Sequence, residues 1–255
     1  MASGNRRDRW ASRAVQASFL IALALAWYLA STRWGVSHLL LPNPVRVLQQ
    51  LGDILASGEF VGDLMVTLGE LAAAFAISAV SGVTVGYLLS RSPYLIRVFE
   101  PLLAGVYAVP IILFLPLYVL FFGLGPASKI ALGATISFFP IVLNTLAGFG
   151  NVERALILAA RSMGASDYHL FRHVLLPAAL PVMLTGLRMG FTVALLSIIG
   201  SETIASLAGL GHRIVNLAEN MEMPRMFAYI AFVVVIAVFL NTVVSVLEAR
   251  GRRGP

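Results

Sequence analysis

The sequence predicts an all-α integral membrane protein with six transmembrane helices. Three observations predict it. Hydrophobic residues make up 59% of the 255-residue chain and charged residues 12%, with a mean hydropathy of +0.88; a soluble domain carries about 25% charge. Six apolar runs approach or exceed the ~20 residues that cross a hydrocarbon core: 14–30, 71–89, 101–122, 130–149, 178–200 and 227–247. The net charge is +6, yet the arginines gather at the ends of these runs rather than on one basic face, which argues against nucleic-acid binding. The chain has no cysteine, so disulfides, thiolate metal sites and cysteine nucleophiles are excluded.

The first run, 14–30, is the shortest. A basic start before a short apolar core also fits a cleaved signal peptide, but no small-x-small cleavage site follows, and Trp27 and Trp34 fit an interfacial belt. "LPNPVRVLQQLGDIL", 41–55, reads as a Pro-Asn-Pro turn and a short helix on the outer surface. In the second run Ser78, Gly82, Gly86 and Ser90 recur every four residues. Small residues at that spacing let two helix backbones approach, either within the chain or at a subunit contact. Pro110, Pro116 and Pro140 interrupt the third and fourth runs. Each removes a backbone donor, which membrane helices tolerate where neighbours satisfy the freed carbonyl. They suit a translocation path or simple packing kinks.

Arg188 is residue 11 of the 23 in the fifth run. An arginine near mid-span costs about 2.5–3.5 kcal/mol on insertion scales and faces a bundle interior or a wet cavity. It either binds carbonyls freed by the three prolines or lines the path and attracts an anion. Glu202 lies fourteen residues on, within about 40° of the same helix face but about 21 Å away. It is therefore expected at the outer mouth rather than as the direct partner.

Orientation follows from charge. Twelve arginines lie at one set of run ends: Arg6, Arg7, Arg9, Arg13, Arg91, Arg97, Arg154, Arg161, Arg172, Arg250, Arg252 and Arg253. Five cations, Arg33, Arg46, Lys129, Arg213 and Arg225, lie at the other. The positive-inside bias puts both termini and the 150–177 segment in the cytoplasm.

That segment holds "LAARSMGASDYHLFRHVLLP", 158–177. Ala155, Leu156, Ala159, Ala160 and Met163 form a mainly apolar helical strip. Gly164 suits the left-handed residue that ends a helix. Ser166 is a good N-cap for a second helix, and Asp167 complements its dipole. Leu170, Phe171, Val174 and Leu175 give that helix an apolar stripe, and Pro177 opens the fifth span. Two short amphipathic helices need a surface, either a soluble partner or the lipid headgroups.

The pattern Ala159-Ala160-x3-Gly164-x9-Val174-x-Leu176-Pro177 resembles the cytoplasmic coupling loop of ATP-binding-cassette import permeases, which reads Glu-Ala-Ala, three residues, Gly, nine residues, an aliphatic, one residue, Leu-Pro. One position departs: Leu158 stands where the family has glutamate. Glu153, five residues upstream, lies about 140° round the helix and is no obvious substitute. "VPIILFLPLYVLFFGLGPASKI", 109–130, with "FFPIVLNTLAGF", "LPAALPVMLTGLRMG" and the "GLG" at 209–211, resembles the nitrate/sulfonate/taurine branch. The likeness runs from about residue 40 to the end of the sixth span.

The resemblance implies a type I ABC importer permease fold, one transmembrane domain over 1–255, with a coupling loop at about 150–177. Leu158, Ala159, Ala160, Gly164, Ser166, Phe171, Val174, Leu176 and Pro177 would meet the ATPase. Arg188, Glu202, Pro110, Pro116 and Pro140 are the translocation-path candidates. The implied partners are two ATPase subunits, a second permease copy forming a homodimer, a periplasmic or lipid-anchored substrate-binding protein and membrane lipid. The implied location is the bacterial cytoplasmic (inner) membrane, and no cofactor is implied. The favoured solute is a sulfonate, taurine or nitrate-like anion. Similar permeases serve pyrimidine, riboflavin-like and aromatic-acid substrates, with selectivity largely in the binding protein.

Other classes fit less well. The lone lysine, Lys129, follows Ser128 and ends no phosphate-binding loop, so ATP hydrolysis is expected in a separate subunit. His169 and His173 share a helix face, but no third ligand completes a metal set. A secondary carrier would show inverted halves, and none is evident.

Overall fold

The structure is a computed structural model that describes residues 4–33, 37 and 40–251. Trp34, Arg252 and Arg253, and the side chains of Arg6, Arg7, Arg9 and Arg13, lie outside what is described. The described residues are helical throughout, joined by turns. They fall into two compact units, Met1–Phe60 with Arg213–Phe232, and Val61–His212 with Val233–Pro255.

The first unit holds α1 (Gly4–Thr32) and α2 (Pro44–Ser57). Pro44 sits in the first turn of α2, where a missing N–H costs nothing. The Asn43 side chain accepts from Val45 N–H at 2.8 Å. Gly58, at φ +69°, ends the helix and donates to the Ile54 carbonyl. Val47 and Ile54 are the buried residues of an otherwise exposed amphipathic helix. Trp27 Nε1 donates to the Pro42 carbonyl at 3.1 Å, tying α1 to the start of α2. Glu59 gathers the charges of this unit. It accepts from Arg225, lies 3.8 Å from Arg213 and accepts from Tyr229 Oη at 3.4 Å. The hydrogen bond from Arg225 holds the Glu59 carboxyl below its ordinary value, against a smaller opposing push from burial.

The second unit begins with α3 (Phe60–Ser90). There follow α4 (Pro93–Tyr107), a 3-10 turn (Ile111–Phe114), α5 (Leu115–Phe122), α6 (Pro126–Gly150) and α7 (Arg154–Ser162). Then α8 (Asp167–Leu170) runs through one π turn (Phe171–Leu175) into α9 (Leu176–Ile204). Last come α10 (Leu210–Glu219) and α11 (Met223–Gly251), each with residues in both units.

Four described helices are long and apolar enough to span: α3, α6, the continuous Asp167–Ile204 and α11. A fifth span is broken. α4 and Ile111–Phe122 meet at 69°, at the break before the 3-10 turn capped by Pro110. Pro116 lies in the first turn of α5, where its missing donor is harmless. The first expected run, 14–30, lies within α1, of which Ile21–Thr32 is the shorter apolar stretch. The described helices thus supply up to five spans.

The Asp167 helix corrects one expectation. It is not a separate short helix before the fifth span but its first turns. The Leu176 N–H bonds to the Phe171 carbonyl, five residues back. This wider turn makes room for the ring of Pro177, which has no N–H to give, so the helix continues instead of stopping.

The core sits on α6, which packs between α3 and α9. A Cβ at Gly82 or Gly86 would stand 3.2 Å from the Phe138 carbonyl oxygen or 2.9 Å from that of Val142. On the other flank, a Cβ at Gly190 would stand 2.5 Å from Ile141 Cγ1. The small-residue stripe of α3 therefore serves packing within the chain, with Ser78 fully buried beside it.

Candidate functional site

The segment from α7 to the π turn is built around Gly164, at φ +79°. Ala165 N–H donates to the Ala160 carbonyl and Gly164 N–H to the Arg161 carbonyl, both at 3.0 Å. These are the two bonds of a Schellman turn, and they need a left-handed residue at 164. Arg161 Nη2 then reaches Asp167 Oδ1 at 2.7 Å across the turn. Ser166 caps the next helix through His169 N–H at 3.4 Å, and its Oγ lies 2.7 Å from His169 Nδ1. His173 stacks on His169 with centroids 5.8 Å apart.

The segment has two faces. Ala160 and Leu170 are buried, at 5% and 6% exposure. Phe171, Val174 and Leu176 are half-buried. Leu156, Leu158, Met163 and Tyr168 are exposed, Leu158 at 58% and Met163 at 81%. Ala159, Gly164, Ser166 and Pro177 are also exposed. The outer face thus carries exposed apolar side chains rimmed by charged ones such as Arg161 and Asp167, a pattern found where proteins meet.

The inner face is anchored by aromatic rings that sequence reasoning missed. Phe171 lies edge-on to Tyr87 of α3, with centroids 5.0 Å apart, and stacks against Phe149 of α6 at 6.2 Å. Tyr87 and Phe149 meet each other at 5.0 Å. Ala179, Met183, Leu175 and Leu176 pack around them. The available signal was an aromatic at the same end of each span, Tyr87 in the last turn of α3 and Phe149 in that of α6.

Within the bundle, Arg188 does not turn to proline-freed carbonyls. Its Nη1 donates to Glu248 Oε2 at 3.0 Å, and Glu248 also accepts from Thr185 Oγ1 at 3.3 Å. Glu248 stands in the last turn of α11. Arg188 is thereby tied to the C-terminal end of α11. Four residues on, Thr192 Oγ1 donates to Asn241 Oδ1 at 2.7 Å.

Glu202 is placed differently from a path-lining group: it is 1% exposed. It accepts from Thr67 Oγ1 and from Gly211 N–H, each at 2.7 Å. Thr67 Oγ1 in turn accepts from Leu210 N–H at 3.0 Å, and Asp63 from Gly209 N–H at 3.2 Å. Together they fasten the 205–211 turn to α3. Glu70 and Lys129 are buried in the same region, at 2% and 0% exposure. Lys129 Nζ donates to the Leu124 and Gly125 carbonyls at the turn before α6. Pro110 and Pro116 are exposed, whereas Pro140 is buried in α6, and its carbonyl accepts from Asn144 Nδ2 at 2.8 Å.

Residues 77–253 match the family described as binding-protein-dependent transport system inner membrane component. The chain is 33% identical to the taurine transport system permease protein TauC of Escherichia coli (strain K12), over 96% of this chain and 93% of that protein. It is 29% identical to the putative aliphatic sulfonates transport permease protein SsuC of Bacillus subtilis (strain 168), over 97% and 88%. Among solved structures, a chain of the inward-facing MetNI methionine ABC transporter superposes with a TM-score of 0.64, covering 76% of this chain and 94% of that one at 20% identity.

Proposed function

Because the chain belongs to the family of binding-protein-dependent transport system inner membrane components, we propose that it is the permease through which a small sulfonate-type anion is imported. One observation carries this reading: an exposed apolar coupling surface, held by the Schellman turn at Gly164 and rooted in the bundle at Phe171, on a chain similar end to end to taurine and sulfonate permeases.

In this reading Leu158, Ala159 and Met163 seat in a separate ATPase subunit, where apolar contact replaces the salt bridge a glutamate at 158 would make. Two ATPases sit beneath two copies of this chain in the cytoplasmic membrane, with both termini inside. A substrate-binding protein delivers the anion to the opposite face. When the ATPases close on ATP, they move the Gly164 turn, and Phe171 passes that movement to α3, α6 and α9. The polar groups on α9 and α11 then meet the solute as the path changes its opening.

The test is reconstitution of the permease with its ATPase and binding protein in vesicles. ATP-dependent uptake of taurine or ethanesulfonate, outcompeting a riboflavin-like or pyrimidine solute, supports the reading. Preferential uptake of a neutral heterocycle sinks the solute assignment.

A further inference from the structure

Polar residues of α9 and α11 meet along one seam. On α9 it comprises Thr185, Arg188 and Thr192, spaced three and four residues apart. On α11 it comprises Asn241, Ser245 and Glu248, spaced four and three. Those are the spacings of a single helix face. Elsewhere α11 exposes Val234, Val235, Phe239, Val243 and Leu247, which suit lipid. An arginine, an asparagine and hydroxyls do not, and intramembrane groups of this kind face a bundle interior or water. Between the helices lies a cleft of about 570 Å³ lined by Arg188, Thr192, Asn241, Thr242 and Ser245 among others. That falls within the usual size of a small-molecule site, about 300–1,000 Å³.

The two charges are unequally placed. Glu248 is almost fully enclosed, at 6% exposure, whereas the Arg188 side chain is 47% exposed. The guanidinium donates to Glu248 through Nη1, and its planar fork carries further donors suited to an oxyanion. Thr192 and Asn241 are engaged with each other, which keeps the cleft wall in register.

We propose that this cleft is an anion subsite, in which Arg188, partly neutralised by Glu248, holds the sulfonate group of the solute in passage. The proposal rests on the sulfonate reading above. The counter-charge gives the site its character. A bare arginine in a low-dielectric cleft would bind an anion tightly and release it slowly; Glu248 weakens the hold, and conduction requires a site that is favourable to enter and easy to leave.

The chain has no cysteine, so Ser245→Cys gives the permease one thiol, in the cleft. In the assembled complex, labelling by a thiol reagent should be slowed by excess ethanesulfonate. In the Arg188→Gln/Glu248→Gln background, which leaves no unpaired buried charge, that protection should vanish. The same neutral pair should cut sulfonate uptake by about ten-fold, the worth of a hydrogen bond to a charged group, while the permease still co-purifies with its partners. Arg188→Lys should retain part of the uptake. Glu248→Gln alone should lower both KM and turnover.

Uptake of sulfonate by the wild type without any protection at 245 overturns the subsite and leaves the transport reading standing. Protection without sulfonate uptake overturns the transport reading and leaves an anion site. Comparing vesicles of phosphatidylcholine alone with vesicles containing phosphatidylglycerol distinguishes the other source of an anionic head. Protection that appears only with phosphatidylglycerol, and without added sulfonate, makes the cleft a lipid site and overturns the proposal.

Discussion

The Phe171 ring meets Tyr87 edge-on at 5.0 Å, and through this contact the segment that starts at α7 bears on α3. Removing the ring should separate two functions that the complex normally links. Phe171→Ala takes out a half-buried aromatic, a loss of about 2–4 kcal/mol of local packing. ATP hydrolysis should continue while transport per ATP falls. Phe171→Tyr, which keeps the ring, should transport normally. Equal losses of hydrolysis and transport in Phe171→Ala would show that the ring only stabilises the fold.

Gly164 makes a second prediction with a distinct cause. No atom lies within 4 Å of where its Cβ would be, so substitution meets no clash. The penalty is conformational alone, about 1–2 kcal/mol for a side chain held left-handed. Gly164→Val should uncouple or misassemble the complex, and Gly164→Asn should be the milder change, since asparagine tolerates that region. Normal transport by Gly164→Val in vesicles would remove the Schellman turn from the coupling argument.

Leu158 is 58% exposed, so Leu158→Glu should leave the permease's own stability within about 0.5 kcal/mol. It should not improve coupling, because the facing groove is expected to be apolar too. A double-mutant cycle against groove residues of the ATPase measures this. A large gain in transport per ATP from the single change would mean that the groove still awaits a carboxylate.

Thr67 is a two-way hub. Its hydroxyl donates to Glu202 and accepts from Leu210 N–H. Thr67→Val leaves both partners short of a bond inside the fold, about 1–3 kcal/mol for each. Thermal melts should show a clear drop in Tm that Thr67→Ser restores. An unchanged Tm in Thr67→Val would mean that the 205–211 turn is held by other contacts.

The Glu59 carboxyl, hydrogen-bonded by Arg225, is held below its ordinary value of 4.5. A carboxyl depressed in the folded state adds stability that is present above the unfolded value and lost as pH falls through the folded one. Melts from about pH 6 down to about pH 3 should therefore fall less steeply in Glu59→Gln than in the wild type. Parallel curves would mean that the Arg225 contact contributes nothing in solution.

Periodicity and motif spacing made much of this architecture legible. Apolar runs located the long helices because burial in lipid demands unbroken hydrophobicity. Gly164 and Ser166 located the Schellman turn and the cap after it because their backbone requirements are local. What spacing could not reveal was pairing between distant spans. Glu248 lies just beyond the sixth apolar run, 60 residues from Arg188, and no local pattern links the two. Tyr87 and Phe149 lie in different spans, and no spacing indicates that Phe171 packs against both. Glu202 was expected at the outer mouth, because nothing local indicates that Thr67, 135 residues earlier, would enclose it. The continuous helix was missed because Pro177 signals a start, and one π turn absorbs it.

That continuity has a mechanical consequence. Asp167–Ile204 is a single run of 38 residues, about 57 Å long at 1.5 Å per residue. Its midsection is pressed against α6 at Gly186 and Gly190, where a Cβ would collide. The same helix also meets α6 at Ala179, beside Gly148, and at Ile198, beside Gly133. A rod held against its neighbour at several stations is a beam rather than a hinge: load applied at the Asp167 end is shared by both helices along the seam. A bulkier residue at Gly190 would prise that seam open at one station and soften the beam there without touching either end.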